Sequence, residues 1–139
     1  MTEYRFQNSE TSSLWSHNIQ MIDFHQLKVW QKSHVLTIQV YHESYRALRK
    51  DRSLAAQARR AAASISANIV EGCGGPSEAE LARYLGMSFR SAAELEYHLL
   101  LARDVGLLPR PRYERLDALT QEVKRMLTGL IQKIKGKGE

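Results

Sequence analysis

The run Arg59-Arg60-Ala61-Ala62-Ala63-Ser64-Ile65-Ser66-Ala67-Asn68-Ile69-Val70-Glu71-Gly72 combines small side chains with isoleucines four residues apart. Small side chains let two helix backbones approach closely, because the distance between packed helices is set by the residues at the contact. A segment of this kind belongs at the centre of a helical assembly. Gly72, Gly74, Gly75 and Pro76 then stop it, since glycine and proline end helical patterns. Ser77-x-x-Glu80 reads as a capping box that starts the next helix: hydroxyl and carboxylate satisfy backbone donors that a helix start leaves orphaned.

The same grammar extends along the chain and predicts four helices. In the first, Leu27, Trp30, His34, Ile38, Tyr41, Tyr45 and Leu48 recur at helical spacing, with Asp23 as N-cap and an end near Lys50-Asp51-Arg52. The second starts near Ser53 and carries Leu54, Ala58, Ala61, Ile65 and Ile69 on one face. The third holds Leu81, Leu85, Ser88, Ala92, Leu95, Leu99 and Ala102, and ends at Gly106. Pro109 and Pro111 mark entry to the fourth, because proline is tolerated in a first turn. There Tyr113, Leu116, Thr120, Val123, Leu127, Leu130 and Ile134 repeat the spacing.

Connections this short force successive helices to run antiparallel, so the predicted fold is all-α, an up-down-up-down four-helix bundle over residues 23–135. Residues 1–22 are polar and aperiodic and read as a loose extension in which Leu14, Trp15 and Ile19 are the apolar residues. Residues 136–139 complete a basic tail. Flanking apolar residues such as Val29, Leu36, Val40, Phe89 and Met126 widen the stripes beyond one seam, which fits either a broad core face or a contact between subunits.

The chain has 139 residues, enough for one self-sufficient core. It has no run of about 18 apolar residues, so no membrane span is expected. Its first twenty residues lack the basic start and apolar stretch of a secretory signal. Cys73 is the single cysteine, which suits a reducing, cytoplasmic location.

Charge gathers at two connections. Residues 46–60 carry Arg46, Arg49, Lys50, Arg52, Arg59 and Arg60 against Asp51. Residues 103–115 carry Arg103, Arg110, Arg112 and Arg115 against Asp104 and Glu114. In such a bundle the first and third connections share an end, which therefore collects the cations. That end suits phosphates, whose neutralisation releases counterions and makes affinity fall with salt. It equally suits helix C-termini, which attract cations without any ligand. The candidate nucleic-acid contacts are Arg46, Arg49, Lys50, Arg52, Arg59, Arg60, Arg110 and Arg112. Tyr45 and Tyr113 lie nearby and would stack on bases, but both fall at core-facing positions and are assigned to the core.

No catalytic constellation stands out, and neither a metal nor a cofactor is expected. Gly72-Cys73-Gly74-Gly75 lacks the Gly-Lys-Ser/Thr ending of a P-loop and follows a helix. Cys73 reads as an exposed thiol of the glycine loop, where the next helix start would lower its pKa; Glu71, Glu78 and Glu80 oppose that and no His is close in sequence, so a catalytic thiol is the minority reading. His34 is assigned to the core. Ser64, Asn68, Glu71, Ser91 and Glu94 are assigned to a buried polar network that sets helix register, ahead of a carboxylate pair for acid–base work.

Three motifs carry a family resemblance: Phe24-x-x-Leu27-Lys28-Val29-Trp30-Gln31, Gln57-x-Arg59-Arg60-Ala61-x-x-Ser64-Ile65-x-x-Asn68-Ile69-x-Glu71-Gly72, and Ser91-x-x-Glu94-Leu95-Glu96. In order and spacing the chain resembles the small four-helix proteins encoded in intervening sequences of bacterial 23S ribosomal RNA genes. It departs from them at Cys73-Gly74-Gly75-Pro76, where the family usually has an aromatic and a basic residue. The resemblance implies an antiparallel bundle and ring-like homopentamers and does not imply an enzyme, with RNA as the partner expected from gene context. The resulting expectation is a non-enzymatic homo-oligomer that binds RNA or another nucleic acid through its Arg-rich end. The alternative is a protein-interaction scaffold with no nucleic-acid role.

Overall fold

The computed structural model describes residues 22–137; the expectations for residues 1–21 and for the last two residues of the tail lie outside it. A short 3-10 turn, Phe24–Gln26, is followed by α1 (Lys28–Ser44), α2 (Arg52–Cys73), α3 (Glu78–Asp104) and α4 (Arg110–Lys137). Contacts between neighbouring helices run in opposite index order. Ser33 meets Ser66 while Thr37 meets the carbonyl of Ala62. Across the next seam Ser64 meets Ser91, and Gly72 lies against Tyr84. Glu96 meets Lys124 across α3–α4, and α1 closes on α4 through Lys32–Glu122 and Glu43–Arg112. The fold is therefore an antiparallel up-down-up-down bundle.

The caps explain the boundaries. Asp51 caps α2 by accepting from the Leu54 amide at 3.0 Å, and Ser77 caps α3 by accepting from the Glu80 amide at 3.2 Å. Glu80 turns its carboxylate to Arg83. Asp23 caps only the 3-10 turn. Gly106, at φ 84°, ends α3 in the left-handed conformation that glycine adopts without a Cβ penalty. No helix among the described residues is long and apolar enough to cross a membrane.

The faces assigned to the second, third and fourth helices are the faces that pack. Every residue named for α2 and α3 is buried, and so is every one named for α4 except half-buried Tyr113. The first helix needs correction twice. It stops at Ser44, short of the expected end, because the chain turns through residues 45–50 to drive Leu48 into the core, 1% exposed. Its inner face is also rotated from the expected one. Val29, Ser33, Leu36, Thr37, Val40, Glu43 and Ser44 are buried. Trp30 and Tyr41 are half-buried, and His34, Ile38 and Tyr45 are exposed. His34 is not a core histidine; it stacks on Trp30 at 4.8 Å.

Hydrogen bonding is the reason for that rotation. Ser33 and Ser66 share a bond at 2.9 Å, and Thr37 donates to the carbonyls of Ser33 and Ala62 at 2.8 and 3.1 Å. Small hydroxyl side chains whose polar groups are satisfied can be buried against the alanine-rich face of α2. Tyrosines and a tryptophan would hold the two helices apart.

Candidate nucleic-acid interface

One ion pair brings the two cationic connections to the same end. Arg112, two residues into α4, donates through Nε and Nη2 to the two carboxylate oxygens of Glu43, at 2.7 and 3.2 Å. The Glu43 side chain is only 10% exposed. This pair spans 69 residues of sequence, and it fastens the end of α1 to the start of α4. Glu43 was not among the sequence candidates, since nothing in its spacing separates it from a surface carboxylate.

The pair also sorts the cations. The charge of Arg112 is matched by Glu43. Arg110 lies 3.4 Å from Glu114, and Arg103 lies 2.8 Å from Asp104; both are solvent-facing pairs of small energetic worth. Arg60 donates to Gln57. Among the described residues Arg46, Arg49, Lys50, Arg52 and Arg115 are exposed and have no ion-pair partner. Of these, Arg46 and Arg115 line a cleft of about 240 Å³ between α1 and α4, together with Gln39 and His42.

Two aromatic assignments change. Tyr45, expected in the core, is 64% exposed. The Arg59 guanidinium carbon lies 5.2 Å from its ring centroid and 6.0 Å from that of Tyr41. Tyr113 is half-buried beneath Arg103, at 4.8 Å, and burial pushes its hydroxyl up from the ordinary range.

The polar group at the α2–α3 seam is smaller than its sequence outline. Ser64 and Ser91 share a bond at 2.7 Å, and the Asn68 amide donates to the Ser64 carbonyl and hydroxyl at 2.9 and 3.0 Å. Glu71 is exposed, and Glu94 turns to His98 at 3.2 Å. The two carboxylates are thus not brought together as an acid–base pair. Elsewhere Glu96 is held below the usual carboxylate range by Lys124 at 2.6 Å. Among the described residues no group of three or more His, Cys, Asp or Glu side chains is placed to hold a metal ion.

Cys73 also differs from expectation. It forms the last turn of α2, is 1% exposed, and burial pushes its thiol up to about 12. A thiol held neutral and away from solvent is a poor nucleophile. A disulfide reagent should leave Cys73 unmodified in the native protein and titrate it fully in denaturant; rapid native labelling would contradict the burial. The folded thiol keeps its proton to higher pH than an unfolded one, so this group removes stability as pH climbs from about 9 towards 12.

The chain's sequence matches the profile of the 23S rRNA-intervening sequence protein family over residues 25–129. The chain belongs to that family. Among curated proteins none matches it. It is similar to the crystal structure of a protein of unknown function from the S23 ribosomal protein family of Bacteroides thetaiotaomicron. That similarity has a TM-score of 0.69 at 25% identity and covers 74% of this chain and 97% of the other. The motif from Ser64 to Gly72 lies within the matched span and at the α2–α3 seam. The cationic end is formed by different residues.

Proposed function

We propose that this family member is a non-enzymatic, self-associating cytoplasmic bundle that binds RNA through the end formed by its first and third connections. The observation that carries this reading is the Glu43–Arg112 clamp, which gathers two cationic segments into one surface. Around it Arg46, Arg49, Lys50, Arg52 and Arg115 remain free to neutralise phosphates. Arg59, Arg60 and Arg110 add to the field. Arg112 contributes by holding the end together rather than by an uncompensated charge.

Support for self-association comes from the outward face of α1, where Val35 and Ile38 are 48% and 43% exposed beside the Trp30–His34 stack. Exposed apolar side chains on one helix face support a contact with a second copy there. A ring of five subunits is the arrangement the family resemblance implies, and it would multiply the basic field. The same stripe is what a protein-interaction scaffold would present to a partner, which is the competing reading.

Purification without nuclease, with absolute mass and the 260/280 absorbance ratio measured together, tests both parts. A multimeric mass with bound nucleic acid is expected; a monomeric mass would remove the self-association. RNA affinity should fall steeply with salt. Reversing Arg49, Lys50 and Arg52 together to Glu should weaken binding by at least about tenfold and reduce the salt slope by roughly two to three, with helical circular dichroism unchanged. Salt-independent binding, or none, would overturn the RNA reading. Stoichiometric co-purification of one protein, unaffected by nuclease, would favour the scaffold.

A further inference from the structure

Phosphate contacts alone do not distinguish paired from unpaired RNA; aromatic side chains do. Tyr45 is the most exposed of the large apolar side chains among the described residues. It sits at the C-terminal end of α1, immediately before the cationic turn that carries Arg46, Arg49 and Lys50. A single exposed tyrosine is ordinary. Its surroundings are less so. The Arg59 guanidinium lies over the Tyr45 ring at 5.2 Å and reaches Tyr41 at 6.0 Å, and the two rings are 6.4 Å apart and tilted by 58°.

An arginine held over two tyrosines orders the Tyr45 ring and is itself ordered, so binding does not have to immobilise either side chain. The cation covers one side of the ring, and its exposure leaves other ring surface in water. Between Tyr45 and Arg59 the chain carries the exposed cations Arg46, Arg49, Lys50 and Arg52, and Arg60 follows directly. Aromatic platforms beside a cationic track are how proteins hold single-stranded nucleic acid without reading its sequence. In a duplex the base faces are already stacked on their neighbours, and an aromatic side chain has no face to meet.

We propose that Tyr45, backed by Arg59, is a stacking platform for an unpaired base, so that the basic end takes single-stranded RNA in preference to duplex. This rests on the RNA-binding function proposed above. The side chains divide the labour: Arg46, Arg49, Lys50 and Arg52 track the backbone, and the tyrosine ring holds a base.

The test is fluorescence anisotropy with a short fluorescein-labelled oligoadenylate, alone and annealed to its complement, across a range of salt. The full-length chain is compared with Tyr45→Ala, Tyr45→Phe and the Arg49/Lys50/Arg52 reversal. The single strand should bind about tenfold more tightly than the duplex. Tyr45→Ala should weaken single-strand binding by about tenfold while leaving the salt slope unchanged, because it removes a stacking face and no charge. Tyr45→Phe, which keeps the ring, should retain affinity. Equal affinity of Tyr45→Ala and the parent chain, with the charge reversal still weakening binding, would overturn the platform while the phosphate reading stands. A change in oligomeric mass in Tyr45→Ala with RNA affinity intact would assign the ring to a subunit contact and also overturn it. If neither RNA form binds the parent chain, both proposals fail together. Unchanged melting of Tyr45→Ala is expected from the ring's exposure and shows that the fold is intact.

Discussion

Gly72→Val should destabilise the bundle by about 3 kcal/mol, lowering the thermal midpoint by roughly 10 °C. Gly72 is helical and buried, and its conformation demands nothing special of the backbone. What it supplies is the absence of a Cβ. A Cβ built there would lie 2.9 Å from the Cβ of Tyr84, 3.1 Å from a Leu81 methyl carbon and 3.4 Å from the Leu81 Cα. Two of those three atoms are fixed to the α3 backbone and cannot rotate away, so α2 and α3 must separate. Alanine sharpens the point, because two effects oppose each other. In a helix interior Gly to Ala gains about 1 kcal/mol of propensity, and here the clash outweighs it. Gly72→Ala should therefore be destabilised by about 1 kcal/mol. Gly129→Ala, in α4 with no atom within 4 Å of the added carbon, should gain up to about 1 kcal/mol. Circular-dichroism melts of the three variants decide the matter, and equal behaviour of Gly72→Ala and Gly129→Ala would show that the seam is not tight at that point.

Arg112→Ala should lose about 2–4 kcal/mol, the range expected when a largely buried charge is stripped of its partner. Glu43 would be left without its partner at a position where its side chain is 10% exposed, and few waters can replace the two donated hydrogen bonds. The partial exposure of Arg112, 28%, keeps the expected loss below that of a fully buried pair. Glu43→Leu combined with Arg112→Leu should recover most of the stability, since removing both charges leaves no desolvated group behind. Denaturant titrations give both values, and a single variant as stable as the parent would mean that the pair does not hold the two connections together. The expectation extends to function. With the clamp gone the first and third connections are no longer tied, so the RNA binding proposed above should weaken even though Arg112 offers no uncompensated charge of its own.

The two variants mark opposite limits of legibility. Gly72 stands in the most distinctive motif of the chain, and its role in ending a helix was the natural inference from Gly-Cys-Gly-Gly-Pro. Its true position inside the last turn of α2, against Tyr84, depends on the register between α2 and α3. Arg112 was visible as one cation among many, and Glu43 was not visible at all. Cys73 was misjudged for a related reason: adjacency to glycines suggested a loop, whereas the helix continues through it and buries the thiol.

Faces of helices followed the same division. Across α2, α3 and α4 the apolar residues form one stripe each, and the stripe is what packs. In α1 two faces share the same helical spacing, Trp30-His34-Ile38-Tyr41-Tyr45 and Val29-Ser33-Leu36-Val40-Glu43. The first carries the larger, aromatic side chains. The second is buried, because its hydroxyls find partners on Ser66 and the Ala62 carbonyl and because small side chains allow close approach to α2.

Periodicity, glycine and proline breaks and short connections were sufficient for four antiparallel helices, and with them for two cationic connections at one end. These are local properties of the chain, set by helical spacing and by how far a short turn can reach. Which face of α1 turns inward, which arginine is neutralised and which tyrosine remains in solvent came only from the tertiary structure. Each depends on a partner tens of residues away, such as Ser66 for Ser33 or Glu43 for Arg112, and the energy of a buried polar group is determined by whether that partner is there.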